Sequence, residues 1–405
     1  MAKQNEEPKA KMGKKMWIRW FISQYILPVK KNKIVFSQFG GKGYGCNPRA
    51  ICDEFLRRDE GYDLVWILGK SQTREKAGIP DGVWTVTGEL SMSELATAKV
   101  WINNIHFNFL LEKGLKKRPQ TIYLNTFHGG ITIKNEGTDK HTYQPNKKLS
   151  KKEQMYRLDA SYVDYITSGC DMENHVLEEF FFGNGEIVKL GDARTDMLIN
   201  GAPEIEKKVR EFYQISADTK IAIYAPTFRS DMKLNWYQLN YEEILDTLEK
   251  ETKSPWVMLI RLHPRLAGQT KKIVPDSPHF IDAGNYPDMQ ELSAASDLMI
   301  SDYSSVITDF MFTRRPAYMY VPDLDQYLKS RGLYFTMEEL PFPYARTTEE
   351  LITCMKEFDQ RAYEGKVDQF IEKIGCINDG KSAKRIVDFL IEKMNQKKYM
   401  GCNSL

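Results

Sequence analysis

Short apolar runs alternate with longer amphipathic stretches along the chain from residue 34 onward. The apolar runs, rich in β-branched and aromatic residues, predict strands, and stretches with apolar residues every three or four positions predict helices. Strands that alternate with helices predict βαβ units and a mostly parallel sheet, which is an α/β fold. The predicted strands cover residues 34–39, 63–68, 83–87, 99–103, 121–127, 164–169, 220–226, 256–264, 279–283, 298–302 and 317–322.

The strands form two sets, and a helical stretch over residues 203–213 stands between them. We therefore predict two Rossmann-like, doubly wound halves over residues 34–195 and 196–405, with a closing helix over 382–394 in the second half. Ligands of such sheets bind beyond the carboxyl ends of the strands. The cleft between two facing sheets is therefore the expected binding site.

The beginning of the chain has a different pattern. The 405 residues carry a formal net charge of +2, yet residues 1–33 hold nine basic side chains against two glutamates. Within them, residues 16–27 form an apolar stretch that is too short to span a bilayer. On a helical wheel Lys15, Arg19 and Ser23 share one narrow face and the rest is nearly all apolar. This pattern is typical of an amphipathic helix at an anionic membrane surface, and the alternative is a helix docked on the protein's own body.

A histidine stands at the end of a predicted strand, where a cleft between two sheets would lie. His128 follows the strand 121–127 and precedes Gly129 and Gly130, which let a ligand or another backbone come close. A histidine in this position suits a general base near neutral pH. The alternative is a histidine whose hydrogen bonds are satisfied inside a turn.

A second strand end carries two cationic or hydrogen-bond-donating side chains. Alternation along the strand puts Arg261 and His263 on the same side, and Pro264 ends the ladder after them. Such a pair suits an anionic ligand, most simply a phosphate, whereas a solvated strand end is the alternative. Arg229, which follows another strand, is a weaker candidate of the same kind.

A hydroxyl-rich turn links the strand 298–302 to a helix. Asp302 is followed by Ser304 and Ser305, so the free backbone N–H groups of the helix start face outward at the positive end of its dipole. A helix start of this kind can bind phosphate without a lysine. Ordinary capping of the helix by serine or aspartate explains the same residues.

Several classes of site are disfavoured. The glycine-rich loop 40–45 does not continue as G-x-G-x-x-G because residue 48 is Pro48, and no Walker A pattern is present, so a dinucleotide cofactor is not supported. Asp323 and Asp325 favour an exposed turn over a metal site. The six cysteines are scattered and predict unpaired thiols in a reducing compartment. Outside the beginning of the chain basic residues are mixed with acidic ones, which does not favour nucleic-acid binding.

Taken in order, eight segments resemble the CDP-glycerol glycerophosphotransferase family, which includes the teichoic acid primases and polymerases of bacterial cell walls and related capsule enzymes. The resemblance extends over residues 34–345. The matching residues are Asn47-Pro48, His128-Gly129 with Lys134, Gly191 with Arg194 and Asp196, Tyr224 to Thr227 with Arg229, Arg261 with His263-Pro264, Asp302 to Ser305, Arg314 to Pro316, and Arg331-Gly332 with Tyr334.

The resemblance implies a two-domain architecture of the GT-B glycosyltransferase type, with an acceptor-side first half and a second half that binds a CDP-alditol. It implies attack by an acceptor hydroxyl on the alditol-side phosphorus of CDP-glycerol or CDP-ribitol, with release of CMP and no cofactor. By resemblance His128 is the base, and His263 with Arg261 binds the diphosphate. The other substrate-binding residues that it implies are Gly129, Lys134, Arg229, Asp302, Ser304, Ser305 and Asp309.

Family members act on lipid-linked acceptors, so the resemblance also implies a peripheral enzyme on the cytoplasmic face of a bacterial cell membrane. The chain departs from the family where Gly130 and Ile131 replace Thr and Pro after the H-G pair, and where Asp192 and Ala193 precede Arg194. A nucleotide-sugar glycosyltransferase and a non-catalytic membrane scaffold stay as alternatives, although retention of both histidines argues against the scaffold. The sequence decides neither the alditol, the number of units added, the acceptor nor the oligomeric state.

Overall fold

The computed structural model describes residues 13–135, 149–229, 231–266 and 268–399. Within these residues it confirms an α/β fold with two parallel sheets, the first with seven strands in the order β3-β2-β1-β4-β5-β6-β7. These strands are β1 (Lys30–Ser37), β2 (Asp63–Leu68), β3 (Val83–Thr87), β4 (Ala98–Asn103), β5 (Ile122–Asn125), β6 (Tyr165–Ser168) and β7 (Glu186–Lys189).

The second sheet of the described chain has six strands in the order β10-β9-β8-β11-β12-β13. Both sheets change direction of winding between their first and fourth strands, so each has a topological switch point there, β1/β4 in one and β8/β11 in the other. The strands are β8 (Lys220–Tyr224), β9 (Trp256–Ile260), β10 (Phe280–Asp282), β11 (Leu298–Ser301), β12 (Ala317–Tyr320) and β13 (Tyr344–Ala345).

Helices cover both faces of the sheets, and apolar side chains from sheets and helices form the buried cores. The helices that the structure describes are α1 (Lys14–Phe21), α2 (Cys46–Arg58), α3 (Arg74–Ala77), α4 (Leu90–Ala96), α5 (Asn108–Leu111), α6 (Lys151–Ala160), α7 (Glu173–Phe180), α8 (Asp196–Asn200), α9 (Pro203–Tyr213), α10 (Tyr241–Thr252), α11 (Met289–Ala295), α12 (Ser305–Phe310), α13 (Leu324–Ser330), α14 (Thr348–Lys356), α15 (Gln360–Lys373) and α16 (Ser382–Tyr399).

Strand β1 begins at Lys30, four residues before the predicted start. Lys30 pairs with Ala98, so β4 begins one residue before the predicted strand 99–103. The first residues of β1 are charged, so the apolar pattern does not show that the strand begins there. Lys33 is accommodated because its ammonium donates to Glu94 at 2.6 Å and to the Thr97 hydroxyl at 3.0 Å.

The closing helix α16 packs against the first half, whereas the sequence placed it in the second half. Ile386, Val387 and Leu390 are fully buried in the core that contains Ile34 of β1. At the rim, Arg58 of α2 forms an ion pair with Asp388 at 2.7 Å. The chain therefore returns to the first sheet after completing the second, and the division at residue 195 stays a prediction.

Helix α1 continues as a π-helical turn over Ile22–Ile26, and the two lie against α4. Its orientation is opposite to that of an ordinary docked amphipathic helix, because Ser23 and Gln24 are buried while large apolar side chains face outward. Tyr25 and Ile26 keep 52% and 65% of their surface exposed. Residues 1–12 of the predicted basic segment lie outside the described residues. Within the described chain, no helix has the length and apolar character needed to cross a bilayer.

Candidate active site

A segment of the chain crosses from the first half to the second directly after β5. The Thr308 hydroxyl donates to the carbonyl of Ile131 at 2.7 Å, and the Tyr334 N–H donates to the carbonyl of Ile133 at 2.9 Å. Lys134 pairs with Leu333 in an antiparallel bridge. Both isoleucines are buried in the core of the second half. His128 therefore begins a crossing segment (residues 128–135) that ties the two halves together.

The imidazole of His128 is held in one tautomer. Its Nδ1 lies 2.9 Å from the carbonyl oxygen of Asn104, which can only accept, so Nδ1 carries the proton and Nε2 is the basic nitrogen of the neutral ring. The preceding residue, Phe127, has φ of 49°, a left-handed conformation that a bulky side chain rarely adopts. Gly129 is required next to it, since an added Cβ would come within 2.6 Å of the Phe127 ring. The backbone is thus strained and tightly packed at the candidate base.

His263 follows β9 in the second half and has the opposite tautomer. The backbone N–H of Arg265 donates to Nδ1 of His263 at 3.2 Å, so the neutral ring carries its proton on Nε2. Burial, followed by the charges of Arg265, Lys134 and Lys42, lowers the pKa of His263. A neutral imidazole that donates from Nε2, surrounded by cations, suits a phosphate oxygen.

The cations that act on His263 come from both halves. Lys42 lies in the glycine-rich loop after β1, Lys134 lies in the crossing segment, and Arg265 belongs to the second half. Among the described residues, Lys42 and Arg265 form no ion pair with a carboxylate. The structure therefore gathers positive charge at one place, where a negatively charged group would relieve the mutual repulsion.

The loop that presents Lys42 is rigidly built. Its backbone is closed by the Gly41 N–H, which donates to the Gln38 carbonyl at 2.7 Å, and by the Gln38 amide, which donates to the Lys42 carbonyl at 2.7 Å. Gly41 lies against the backbone of Gly69, where a Cβ would stand 2.3 Å from the amide nitrogen. The same loop places the Phe39 ring 5.3 Å from the His128 ring. One loop of the first half therefore lies beside His128 and carries the lysine whose charge acts on His263.

A buried ion pair lies directly under the crossing segment. The guanidinium of Arg194 donates to both carboxylate oxygens of Asp309, at 2.9 and 3.0 Å, and so links the two halves. Gly130 packs on this pair with φ of 56°, and an added Cβ would stand 2.0 Å from Nη2 of Arg194. The Arg194 side chain also contacts Asp192 at 3.3 Å. The departures from the family pattern thus fall where the halves meet.

A second ionic contact joins the halves beside the glycine-rich loop. Arg49 of α2 contacts Asp288 at 3.2 Å and Glu291 at 2.6 Å, and both carboxylates are nearly fully buried. Gly45 lies close to the same aspartate, since an added Cβ would stand 2.6 Å from its Oδ2. This contact fixes the loop of Lys42 against the second half.

The candidate arginines differ in their partners. Arg229 is buried between Asp302 at 2.9 Å and Asp323 at 2.7 Å, so Asp323 is a buried partner and not part of an exposed turn. Arg261 instead donates from Nη1 to the carbonyl of Gly284 at 2.8 Å, and no ion pair with a described carboxylate accompanies it. Burial lowers the pKa of Arg261. Its charge is therefore less compensated than that of Arg229.

The helix start after β11 shows the capping arrangement. The Ser304 hydroxyl accepts from the Val306 N–H at 3.4 Å, so ordinary capping occupies one of the outward N–H groups. Ser304 and Ser305 are half-buried, and Asp302 accepts from the Thr227 N–H at 2.8 Å.

The structure therefore brings His128, His263 and Lys134 to the region where the halves meet. It gives Arg229, Asp302 and Asp309 buried ion-pair partners, so these three have structural contacts where the sequence predicted contacts with substrate. Their roles, and those of Arg261, Gly129, Ser304 and Ser305, stay predictions. Lys42 was missed because its loop fits no known fingerprint, although a lysine among four glycines after the first strand was a visible signal.

Two parallel sheets with switch points, and a cationic region with two histidines where the halves meet, define a protein with a Rossmann-like α/β fold of the GT-B type. The chain belongs to the CDP-glycerol:poly(glycerophosphate) glycerophosphotransferase family, whose model matches residues 20–392. A UDP-N-acetylglucosamine 2-epimerase from Listeria monocytogenes shares the fold alone, with a TM-score of 0.52 and 12% identity over 91% of this chain and 98% of its own.

Two relatives and one solved structure illustrate this membership. The teichoic acid poly(glycerol phosphate) polymerase of Bacillus subtilis is 30% identical over 93% of this chain and 52% of its own length. The teichoic acid glycerol-phosphate transferase of Staphylococcus aureus is 30% identical over 88% of this chain and 92% of its own length. A structure of the wall teichoic acid polymerase TagF superposes with a TM-score of 0.75 and 27% identity, covering 91% of this chain and 90% of that one. The chain thus spans about half the length of some polymerases that it matches.

Proposed function

We propose that the chain transfers an alditol phosphate, glycerol phosphate or ribitol phosphate, from a CDP-alditol to a hydroxyl of a lipid-linked acceptor and releases CMP. The observation that carries the proposal is the combination of a basic Nε2 on His128 with the cations around His263. The names of the relatives, which include glycerol-phosphate transferases and ribitol-phosphate polymerases, support the choice of group transferred.

In the proposed reaction the acceptor oxygen bonds to the alditol-side phosphorus. The bond from that phosphorus to the bridging oxygen breaks, and its electron pair leaves with CMP. His128 Nε2 takes the proton of the hydroxyl, and the carbonyl of Asn104 keeps the ring in the required tautomer. Phosphoryl transfer of this kind depends mainly on positioning and charge stabilisation.

The diphosphate is proposed to bind beside His263. Nε2–H of His263 donates to a phosphate oxygen, and Lys42, Lys134 and Arg265 supply charge from both halves of the protein. The same cations stabilise the negative charge that develops on the departing CMP. Arg261, whose guanidinium has no described carboxylate partner, is proposed to assist. No step needs a metal or a cofactor.

The proposed location is the cytoplasmic face of the bacterial membrane, held by α1 and the turn that follows. Supporting it are the outward apolar side chains of this segment, among them Trp17, Tyr25 and Ile26, and the basic residues around them, such as Lys14 and Lys31. Aromatic rings favour the headgroup layer, and flanking cations are attracted to an anionic leaflet. Deletion of residues 1–33 would also remove the start of β1, so a deletion of residues 1–27 is the better test. It should release the protein from anionic liposomes, and unchanged binding would refute membrane docking.

A screen of possible substrates tests the reaction. The full chain is incubated with labelled CDP-glycerol, CDP-ribitol and a panel of nucleotide sugars, and the product is weighed by mass spectrometry. We expect transfer from a CDP-alditol, with the mass giving both the alditol and the number of units. Transfer from a nucleotide sugar alone would establish the glycosyltransferase alternative.

Histidine variants separate an enzyme from a scaffold. His128→Asn and His263→Asn should each lower kcat by at least about a hundredfold, the usual contribution of a proton-transferring group or a key charge-stabilising hydrogen bond. His279→Asn is the matched control. His279 precedes β10 at the amino edge of the second sheet, whereas His263 follows β9 at the carboxyl edge of that sheet. Full cellular function of both cleft variants would favour the scaffold.

A further inference from the structure

A cavity of about 430 Å³ lies between α1 and α4, away from the region of the two histidines. Its charged lining consists of Lys15 and Arg19 of α1, Lys30 and Lys33 of β1, and Glu94 of α4, and Ser93 of α4 lies beside them. Lys30 and Lys33 lie in the first half of strand β1, whose 8 residues run from Lys30 to Ser37 at the carboxyl edge of the sheet. The cavity is therefore at the amino edge of the first sheet, opposite the candidate active site.

The charge of this cavity is strongly positive. Lys33 is neutralised by Glu94 at 2.6 Å. Lys15, Arg19 and Lys30 form no ion pair with a carboxylate among the described residues, although all three line the same space. All three side chains are exposed, so solvent screens their mutual repulsion, and together they give the cavity a positive potential that favours an anion.

Buried polar atoms without partners lie beneath the same helix. Ser93 is only 4% exposed, and its hydroxyl has no hydrogen-bond partner. Nε1 of Trp20 and Oε1 of Gln24 are likewise buried without a partner. An unmade hydrogen bond at a buried polar atom costs free energy, so an acceptor that reaches the Ser93 hydroxyl would gain that hydrogen bond.

The surroundings of the cavity point to the source of the anion. Its wall is formed by α1 and the turn after it, the segment that also exposes Trp17, Phe21 and Tyr25, whose rings favour lipid headgroups. Ile18 and Ile22 contribute apolar walls beside the cations. A phosphodiester with acyl chains matches both the charge and the apolar rim.

We propose that the cavity between α1 and α4 binds the headgroup phosphate of an anionic phospholipid, with Lys15, Arg19 and Lys30 as its cations and the Ser93 hydroxyl as a hydrogen-bond donor. The proposal rests on the membrane docking put forward above and adds a stoichiometric lipid site to it.

Calorimetric titration of the full chain with monomeric dihexanoyl-phosphatidylglycerol tests the site without turnover. We expect saturable binding of one lipid per chain. Arg19→Ala/Lys30→Ala should weaken it roughly thirtyfold, from two charges near a phosphate. The control Lys14→Ala/Lys31→Ala removes the same charge from the same region outside the cavity and should change the affinity less than threefold.

Ser93→Ala supplies a readout that a purely structural role would not give. It removes an unpartnered buried hydroxyl, so the melting temperature should not fall, yet lipid affinity should drop roughly tenfold. Equal losses in the two double variants would overturn the cavity in favour of diffuse charge attraction. Inorganic phosphate that binds as tightly as the lipid would overturn the lipid assignment. Alditol transfer from a soluble acceptor should be unchanged in all these variants, so a failed transferase reaction leaves this test readable.

Discussion

Gly130 gives the most direct test of how the candidate base is positioned. It lies in the crossing segment, two residues after His128, at φ of 56° and against the ion pair between Arg194 and Asp309. In Gly130→Ala the new Cβ would stand 2.0 Å from Nη2 of Arg194 and 3.1 Å from Oδ1 of Asp309. One of the partners must move for alanine to fit.

The expected magnitude has two parts. An alanine in the left-handed conformation costs about 1–2 kcal/mol for its backbone alone. The guanidinium is the end of a flexible side chain, but it is fully buried and bonded to both oxygens of Asp309, so its displacement leaves uncompensated charge in the interior. Breaking a buried pair in this way costs about 3–5 kcal/mol. Together Gly130→Ala should lower the free energy of unfolding by about 4–7 kcal/mol.

Gly88 is a matched control, because it has φ of 59° and nothing within 4 Å of an added Cβ. Urea unfolding of Gly130→Ala and Gly88→Ala, with the mutant and parent chains side by side, isolates the clash from the backbone cost. Gly130→Ala should also lower kcat, since the shift reaches His128, while Gly88→Ala should not. A difference in unfolding free energy below about 1 kcal/mol would show that Arg194 swings away freely, and the reasoning about a rigid interface would be refuted.

Three further outcomes follow from the charges. Arg229→Ala should lower the free energy of unfolding by about 3–5 kcal/mol, because two buried carboxylates lose their cation. Arg261→Ala should mainly raise KM for the CDP-alditol, roughly tenfold or more, in steady-state kinetics. The pKa of His263, measured by NMR, should lie below about 6.5 and rise when CDP-glycerol binds. Because its pKa is lower in the folded than in the unfolded protein, its contribution to stability is present above the unfolded-state pKa. That contribution is lost as the pH falls from the unfolded-state pKa to the folded-state pKa. Lys42→Gln should raise KM about tenfold, and Lys76→Gln on α3 should leave it unchanged.

Local patterns predicted the strands and their order of appearance well. An apolar run needs only its own residues to become a buried strand, so β2 and β3 have the predicted bounds 63–68 and 83–87. The end of β5 likewise predicted that His128 would lie at the carboxyl edge of the first sheet, where the structure has it. Helix 203–213 was also predicted in full, since Pro203 begins it.

Contacts between distant residues could not be predicted in this way. Asp309 was a candidate for substrate contact by resemblance to the family, but its partner Arg194 is 115 residues away in sequence. The partner of the Ile131 carbonyl is Thr308, 177 residues away, and no local pattern shows it. The closing helix is a similar case. Its apolar face shows that it packs on a sheet but does not show on which of the two sheets it packs. Electrostatic partners and helix docking are decided by the assembled fold.

The arginines and lysines where the halves meet divide into two kinds. Arg194 and Arg49 are neutralised by carboxylates of the opposite half, so they hold the halves in one arrangement whether or not a ligand is present. Lys42 and Arg265 have no such partner among the described residues, and their charges act on His263 instead. Lys42 and Arg265 thus face each other's positive charge without a compensating carboxylate. A bound anion would lower this electrostatic repulsion energy. The cations at the amino edge of the first sheet divide in the same way. Lys33 forms an ion pair with Glu94, and Lys15, Arg19 and Lys30 form none with a described carboxylate. An anionic ligand should therefore raise the melting temperature of the protein. The stabilisation by CDP-glycerol (or by CMP, which competes for the same region) and that by anionic lipid should be additive, because the two cationic regions lie at opposite edges of one sheet.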